Sequence, residues 1–389
     1  MTLPAPLDPT PPELWNGLPE TARTLLTTLR RLAPPGARLA LVGGAVRDLL
    51  LGQGSASPDL DIVLEGGNVQ ALAQQVGAAF SFHAVYGNAT LHLPGGLYAD
   101  LVSARRESYP VAGGPPAPRP GSLEDDLARR DFTVNAAALE LLGEGTCRLL
   151  SLSHLPEDLQ ARKLRPLHAR SFHEDASRLV RGARLAARLE LHAHAELLAQ
   201  VPAALQIAAQ TPRLASELRL LLEEPLPGRA ARVLEDWGAS GLLPAGAANL
   251  LERLDAVLEQ AALGQNSRTL YAAALLSLSD RADDLNALGL GQRPAELLAR
   301  ARNAQVWAAG SPEATLQALL GLTLPYTPLQ GRDLLGLGLK AGPEVGRTLT
   351  WLAAGRKAGR YASAEDERRA VLEYLHRPER SPESECSAP

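Results

Sequence analysis

The chain has 389 residues, a formal net charge of −4, 46% hydrophobic and 4% aromatic residues, and two cysteines. This length admits two to four domains with a sizeable core, and the charge excludes a general nucleic-acid coat, so any polyanion site must be a local basic patch. Cys147 and Cys386 cannot form a disulfide framework or a zinc site, which points to a reducing compartment; "MTLPAPLDPTPPELW" has no signal-peptide pattern, and no apolar run reaches the ~20 residues of a membrane span.

From about Arg38 to Leu150, short β-like runs alternate with short helical ones. The first run, "ARLALVGG", ends at Gly43 and Gly44 and leads into a helix carrying Arg47. Glycines there let the backbone approach a ligand, the helix start attracts phosphate, and Arg47 adds a full positive charge. The next strand, "LDIVLEG", is headed by Asp59 and Asp61. At i and i+2 their carboxylates share a face and repel. A divalent cation between them resolves the repulsion; a polar strand start that happens to hold two Asp is the alternative. A phosphate cradle and a carboxylate pair within twenty residues together describe a nucleoside triphosphate bound as its magnesium complex.

"FSFHAV", "ATLHLP" and "LYADLVSA" follow as further strands, the last with Asp100 as a candidate third carboxylate or a solvated strand residue. "PVAGGPPAPRPG", Pro110 to Gly121, reads as a mobile loop whose Pro and Gly content excludes a stable helix or strand. After about Leu155 strand signals stop and helix follows helix, punctuated by Pro and Gly. From Glu174, the residues Asp175, Arg178, Arg181, Arg184 and Arg188 recur every three or four positions, so they share one helical face. That stripe is either a solvated face or an anion-binding one. "GLGLKAGPEVG" offers Lys340 and Gly342 in a Gly-rich turn, with Pro343 at the start of a helix. Such a turn fits either a sequence-independent phosphate contact or a plain helix connection. The final residues, "RPERSPESECSAP", read as a disordered tail.

In this order the motifs resemble the class II tRNA nucleotidyltransferases and bacterial poly(A) polymerases of the polymerase-β superfamily. "GGAVRDLLLG…DLDIV" is similar to their opening signature, "DLARRDFTVNAAAL" to their second motif and "FHEDASRLVRGARLAARLEL" to their nucleotide-selecting helix. "ELRLLLEEPLPGRAARVLEDWGASGLL" and "GRDLLGLGLKAGPEVGRTLTWL" look like their helical body and tail. Departures are "EDASR", where a Pro commonly follows the Asp, and the divergent "LSLSHLPEDLQARKLRPL". The resemblance implies an α+β fold: a small polymerase-β-type head with a mixed or antiparallel sheet over residues 20–150, then an all-α neck (151–215), body (216–310) and tail (311–376), with 377–389 disordered.

It further implies template-independent nucleotide addition to the tRNA 3′ end from CTP and/or ATP in the cytoplasm, by a monomer or homodimer without membrane attachment. Asp59 and Asp61 would hold Mg²⁺. Asp175 and Arg178, with Glu174 beside them, would form an amino-acid template. An Asp accepting from the exocyclic amino group and an Arg donating to the ring nitrogen would admit C and A and reject U and G. Arg130, Arg181 and Arg184 would reach phosphates, and Asp131 would contact the ribose, orient Arg130 or cap the next helix. Family enzymes restricted to CC carry a shortened loop between the first two motifs. Arg105 to Arg130 is intact here, which disfavours CC-only addition and leaves CCA or terminal A as the expected product, with poly(A) addition as an alternative. A non-catalytic RNA-binding protein on the same scaffold would have lost an Asp, and a small-molecule nucleotidyltransferase would lack the long helical half.

Overall fold

The computed structural model describes residues 12–375 except 54–58, 85–86, 144, 153, 261–267, 279–291, 304–306, 309, 323–325, 358–359 and 362. The expected disordered tail, 377–389, lies outside the described residues. The chain divides into two compact units, one running to Glu217 and including Val233–Leu242, the other comprising Leu218–Arg232 and the residues from Leu243 onward.

The first unit is built on a seven-stranded mixed sheet. Its strands are β1 (Arg38–Val42), β2 (Leu60–Glu65), β3 (Ala79–His83), β4 (Asn88–His92), β5 (Tyr98–Ser103), β8 (Ala137–Gly143) and β9 (Thr146–Ser151). They lie in the order β3-β4-β5-β2-β1-β8-β9. Only β2 and β5 run parallel; the other neighbours are antiparallel. One face of the sheet is covered by α2 (Glu20–Leu32), α3 (Gly44–Leu50) and α4 (Val69–Val76). There Leu25, Leu26, Leu29, Val46 and Leu72 pack on Leu39, Leu41, Ile62, Leu64, Leu91 and Leu101. Each fully buried Leu contributes about 2 kcal/mol of hydrophobic transfer, which holds the sheet rigid beneath the site. The other face is covered only in part: Leu123 and Leu127 of α5 (Leu123–Ala128) pack with Ala40, Val42, Val63, Ala136 and Ala138.

Two expectations are corrected. The segment Pro110–Gly121 is not without strand structure: β7 (Ala117–Pro120) pairs antiparallel with β6 (Arg105–Ser108), Arg105 facing Pro120 and Ser108 facing Ala117. Pro118 and Pro120 alternate, so their missing N–H groups fall on one edge of a two-stranded ribbon, the edge that needs no donors. Strand structure also resumes after Leu155, where β10 (Lys163–Leu164) pairs in parallel with β11 (His192–Ala193).

The stretch 172–191, expected to form one helix, is two helices, α7 (Ser171–Glu174) and α8 (Ser177–Leu189). Asp175 lies at the break between them in extended conformation, φ −153° and ψ 101°, and so is not on the helical stripe. Gly182 lets α8 approach the 126–139 motif closely, because a Cβ there would stand 2.8 Å from Phe132 Cζ. After α9 (Ala195–Ile207) and α10 (Arg213–Leu221), the second unit is helical throughout its described residues. Gly228 of α11 (Pro227–Asp236) lies against the backbone of α12 (Ala247–Gln260), and a Cβ at Gly228 would meet Glu252 N at 2.2 Å. Asp255 accepts from Gly228 N (2.9 Å) and Tyr271 Oη (2.8 Å). Near the end of the chain, buried Glu367 accepts from Arg356, Tyr326 and Leu329 N.

Candidate active site

The site begins where β1 ends. Gly43 has φ 75° and ψ −136°, a conformation open to glycine alone. A Cβ here would also stand 2.8 Å from Arg130 Nη1 and 3.4 Å from Asp61 Oδ2. The glycine thus gives the turn and admits a carboxylate and a guanidinium to the same small space. Gly44 opens α3, where a Cβ would touch the Arg47 guanidinium at 3.4 Å.

Asp61 sits opposite Val42 of β1 on one side and opposite Asp100 of β5 on the other, while Asp59 stands exposed just before β2. The parallel β2–β5 register therefore makes neighbours of two carboxylates that are 39 positions apart in sequence. Solvent reaches Asp61, yet surrounding protein partly desolvates it. That desolvation pushes its carboxyl above the usual range, Asp100 and Asp59 push the same way, and Arg130 and Arg181 oppose them. Thr90 of β4 donates to Asp100 Oδ1 at 2.6 Å.

Among the described residues no group of three or more His, Cys, Asp or Glu side chains converges in metal-ligating geometry. The donor chemistry nonetheless fits a hard divalent cation, which takes one or two carboxylates and completes its shell with water and substrate phosphate. The repulsion around Asp61 is what such a cation would relieve.

Arg130 is fixed from below by buried Asp126, whose Oδ2 accepts from its Nη2 at 3.1 Å, while Asp126 Oδ1 holds Arg129. The Arg130 Nε is buried and finds no partner among the described residues, and an anion at this position would satisfy that donor. Arg47 differs from expectation. It is buried, donating to Asn135 Oδ1 (2.6 Å) and Asp48 Oδ1 (2.8 Å), so its charge is neutralised within the fold instead of facing an opening. Asn135 passes the link on to Asp131 Oδ1 at 3.0 Å. Burial alone would raise the Asp131 carboxyl, but Arg181, Asn135 and Phe132 N together hold it below the usual range.

Along α8 the arginines differ in surroundings. Arg178 is buried, donating to Ser171 Oγ (2.8 Å), the Arg129 carbonyl (3.2 Å) and Tyr109 Oη (3.3 Å). Arg181 is half exposed and pairs with Asp131 and, at 3.6 Å, with Glu217. Arg184 pairs with Glu217. Asp175 is buried: Oδ1 accepts from Ser177 N (3.0 Å) and Oγ, and Oδ2 lies 3.2 Å from Arg213 Nη1. Glu174 stands 3.4 Å from His168 and 3.9 Å from Arg178. Both candidate template residues are partnered within the fold, so an incoming base would exchange partners with them.

Lys340 is exposed ahead of the helix Pro343–Lys357, and Gly342 has φ 153°. Lys340 forms no ion pair among the described residues. The motif reading missed Tyr109, Asp126, Asn135, Arg213 and Glu217. Of these Asp126 and Asn135 carried a local signal, the i,i+4 spacings to Arg130 and Asp131; the others are long-range partners.

Residues 39–165 match the Poly A polymerase head domain family. Over 366 residues the chain is 52% identical to a CC-adding tRNA nucleotidyltransferase of Deinococcus radiodurans, covering 93% of this chain and 96% of that protein. The chain belongs to the tRNA nucleotidyltransferase family. An A-adding tRNA nucleotidyltransferase of Geobacter sulfurreducens is 36% identical over 219 residues, 54% of this chain and 25% of that one. Among solved structures, an apo CCA-adding enzyme matches with a TM-score of 0.66 at 21% identity, covering 93% of this nucleotidyltransferase and 98% of that chain. The Thermotoga maritima CCA-adding enzyme complexed with tRNA matches with 0.60 at 21% identity, covering 91% and 94%. These two share the fold: an α+β head followed by helices. The family is metal-dependent, and the carboxylates at the head of β2 are the residues suited to that dependence. Among the described residues no helix is long and apolar enough to cross a membrane.

Proposed function

We propose that this nucleotidyltransferase adds C to the 3′ end of tRNA from CTP in the cytoplasm, releasing pyrophosphate. The observation that carries the reading is the similarity to a CC-adding enzyme over almost the whole of both chains, whereas the A-adding relative aligns over about half of this one. The intact Arg105–Arg130 segment favours a second reading, full CCA addition, because a complete hairpin is available to adjust the pocket for A. Similarity along the whole chain outweighs the length of one segment, so C addition is the first reading.

Asp59 and Asp61 would hold Mg²⁺, with Asp100 beside them. The ion supplies charge neutralisation of the triphosphate and a lowered pKa for the attacking 3′-hydroxyl. Arg130 and Arg181 bind phosphate oxygens, the former through its buried Nε. Asp175 and Arg178 read the Watson–Crick edge of the incoming base. A base that leaves either charge buried and unpaired is rejected at a cost of roughly 2–5 kcal/mol. Asp126, Asn135 and Glu217 hold the arginines in place. Lys340 and Gly342 contact the RNA backbone, and the head, neck, body and tail divide the chain at about 150, 215 and 310.

The test is incubation with tRNAs ending in the discriminator base, C or CC, each labelled triphosphate being offered separately. C addition to the first two and none to the third supports CC addition. Addition of A to tRNA ending in CC, after C addition to the others, establishes CCA addition.

A further inference from the structure

The register of the sheet makes one face of β3, β4 and β5 continuous with the site. Ser81, Thr90, Asp100 and Asp61 stand directly opposite one another across four strands, and His92 faces Tyr98 one step along. Residues two apart on a strand share a face, so Tyr98 projects on the same side as Asp100, about 6.6 Å further along β5. This is the partly covered face. Its helical cover, α5, packs on the β1–β2–β8 side, while the β3–β5 part shows an alternating pattern with Ser81, His92 and Tyr98 exposed. Tyr98 is 57% exposed and its ring meets His92 edge to face at 5.3 Å. Ser81 Oγ lies 3.1 Å from His92 Nε2. The result is a polar shelf with a propped aromatic ring.

The direction of the chemistry says what the shelf is for. The phosphate-binding features, Gly43 and Arg130, lie on the β1 side of Asp61 and Asp100. In phosphoryl transfer the attacking and leaving oxygens are roughly in line. With pyrophosphate departing on the β1 side, the attacking 3′-hydroxyl must arrive from the side of β5, β4 and β3. We infer that the β3–β5 shelf seats the 3′-terminal nucleotide of the acceptor RNA, with Tyr98, propped by His92, stacking on its base and Thr90 fixing Asp100 beneath its ribose. Stacking on an aromatic ring tolerates any base, which suits an acceptor end whose last nucleotide differs between tRNAs and changes after each addition. The inference rests on the proposed nucleotide-transfer reading.

The test uses the full-length enzyme and a tRNA whose 3′-terminal nucleotide is 4-thiouridine. Irradiation is expected to cross-link that nucleotide to peptides from residues 79–83 or 88–103; cross-links confined to other segments overturn the inference. In steady state, Tyr98→Ala is expected to raise KM for tRNA about tenfold, the loss of one stacked base, with KM for CTP unchanged and Tyr98→Phe near wild type. An unchanged tRNA KM in Tyr98→Ala overturns it, as does an equal rise for CTP. If the wild type extends tRNA with A instead of C, the proposed product fails while the same KM comparison with ATP judges the shelf. If it extends no tRNA at all, the cross-link decides alone.

Discussion

Tyr109 and Arg178 join the β6–β7 hairpin to the start of α8. Arg178 Nη2 donates to the Tyr109 hydroxyl at 3.3 Å, and the Arg178 guanidinium carbon stands 5.7 Å from the Tyr109 ring centroid. Gly113 adds a second tether, its N–H donating to the His173 carbonyl at 3.3 Å. The segment between the two head motifs is therefore anchored to the element proposed to read the base, although they are about 70 residues apart.

This coupling gives the first prediction. Tyr109→Ala frees one face of Arg178 and removes a cation–π contact worth about 1 kcal/mol. Misincorporation of UTP relative to CTP is expected to rise about fivefold, with Tyr109→Phe, which keeps the ring, close to wild type. Single-turnover incorporation of each triphosphate measures it, and equal selectivity in all three proteins would show that the hairpin does not tune the template.

Asp61 supplies a prediction with two opposite signs. Its carboxyl is raised by desolvation and by Asp100 and Asp59, so the ionised form costs folded-state stability above its folded pKa and that cost vanishes in acid. Asp61→Asn is expected to abolish addition, keep tRNA binding, and raise the Tm of the metal-free protein at pH 7 but not at pH 4. Thermal melts at the two pH values check this; a lowered Tm at pH 7 would contradict the repulsion argument.

Asp131 has the reverse sign. Its carboxyl is held low, so it contributes stability that is fully present above the ordinary Asp value of about 4 and is lost as pH falls from there through the lowered one. Asp131→Asn is expected to cost about 2 kcal/mol at pH 7 and at pH 5, and less at pH 3. Urea unfolding at the three pH values measures it. Nucleotide affinity should fall as well, since Arg181 loses its anchor.

Arg178→Ala is expected to damage base selection more than phosphate binding, because its donors go to Ser171, Tyr109 and the Arg129 backbone carbonyl and to neither the Arg130 nor the Asp126 side chain. UTP and GTP incorporation should rise relative to CTP while KM for CTP changes less than tenfold. Unchanged discrimination in a folded, active variant would remove Arg178 from the template.

In the second unit, Gly228→Ala should destabilise by about 1–3 kcal/mol, since the new methyl collides with backbone atoms of Glu252 and Leu251 that cannot rotate away. Chemical denaturation of the full chain monitored by Trp fluorescence checks it.

The sequence by itself determined the strand that carries Asp61, the Gly43–Gly44 turn and the order of the motifs, because each rests on local spacing; it placed Asp59 in that strand too, whereas β2 begins one residue later, at Leu60. It misplaced Asp175 on a helix, since i,i+3 spacing cannot report a backbone break between α7 and α8. It read Pro110–Gly121 as unstructured, since prolines confined to one edge of a ribbon look the same in sequence as prolines in a loop. It left Arg47 facing a ligand, although the fold buries its guanidinium against Asn135, 88 residues away, with its charge paired to Asp48. Only the tertiary structure decided which carboxylate stands beside Asp61, which partners hold each arginine and which half of the sheet face stays open. These are matters of strand order and long-range pairing. The free energy that settles them is burial and charge pairing between segments that are distant in sequence, and local sequence spacing does not encode that pairing.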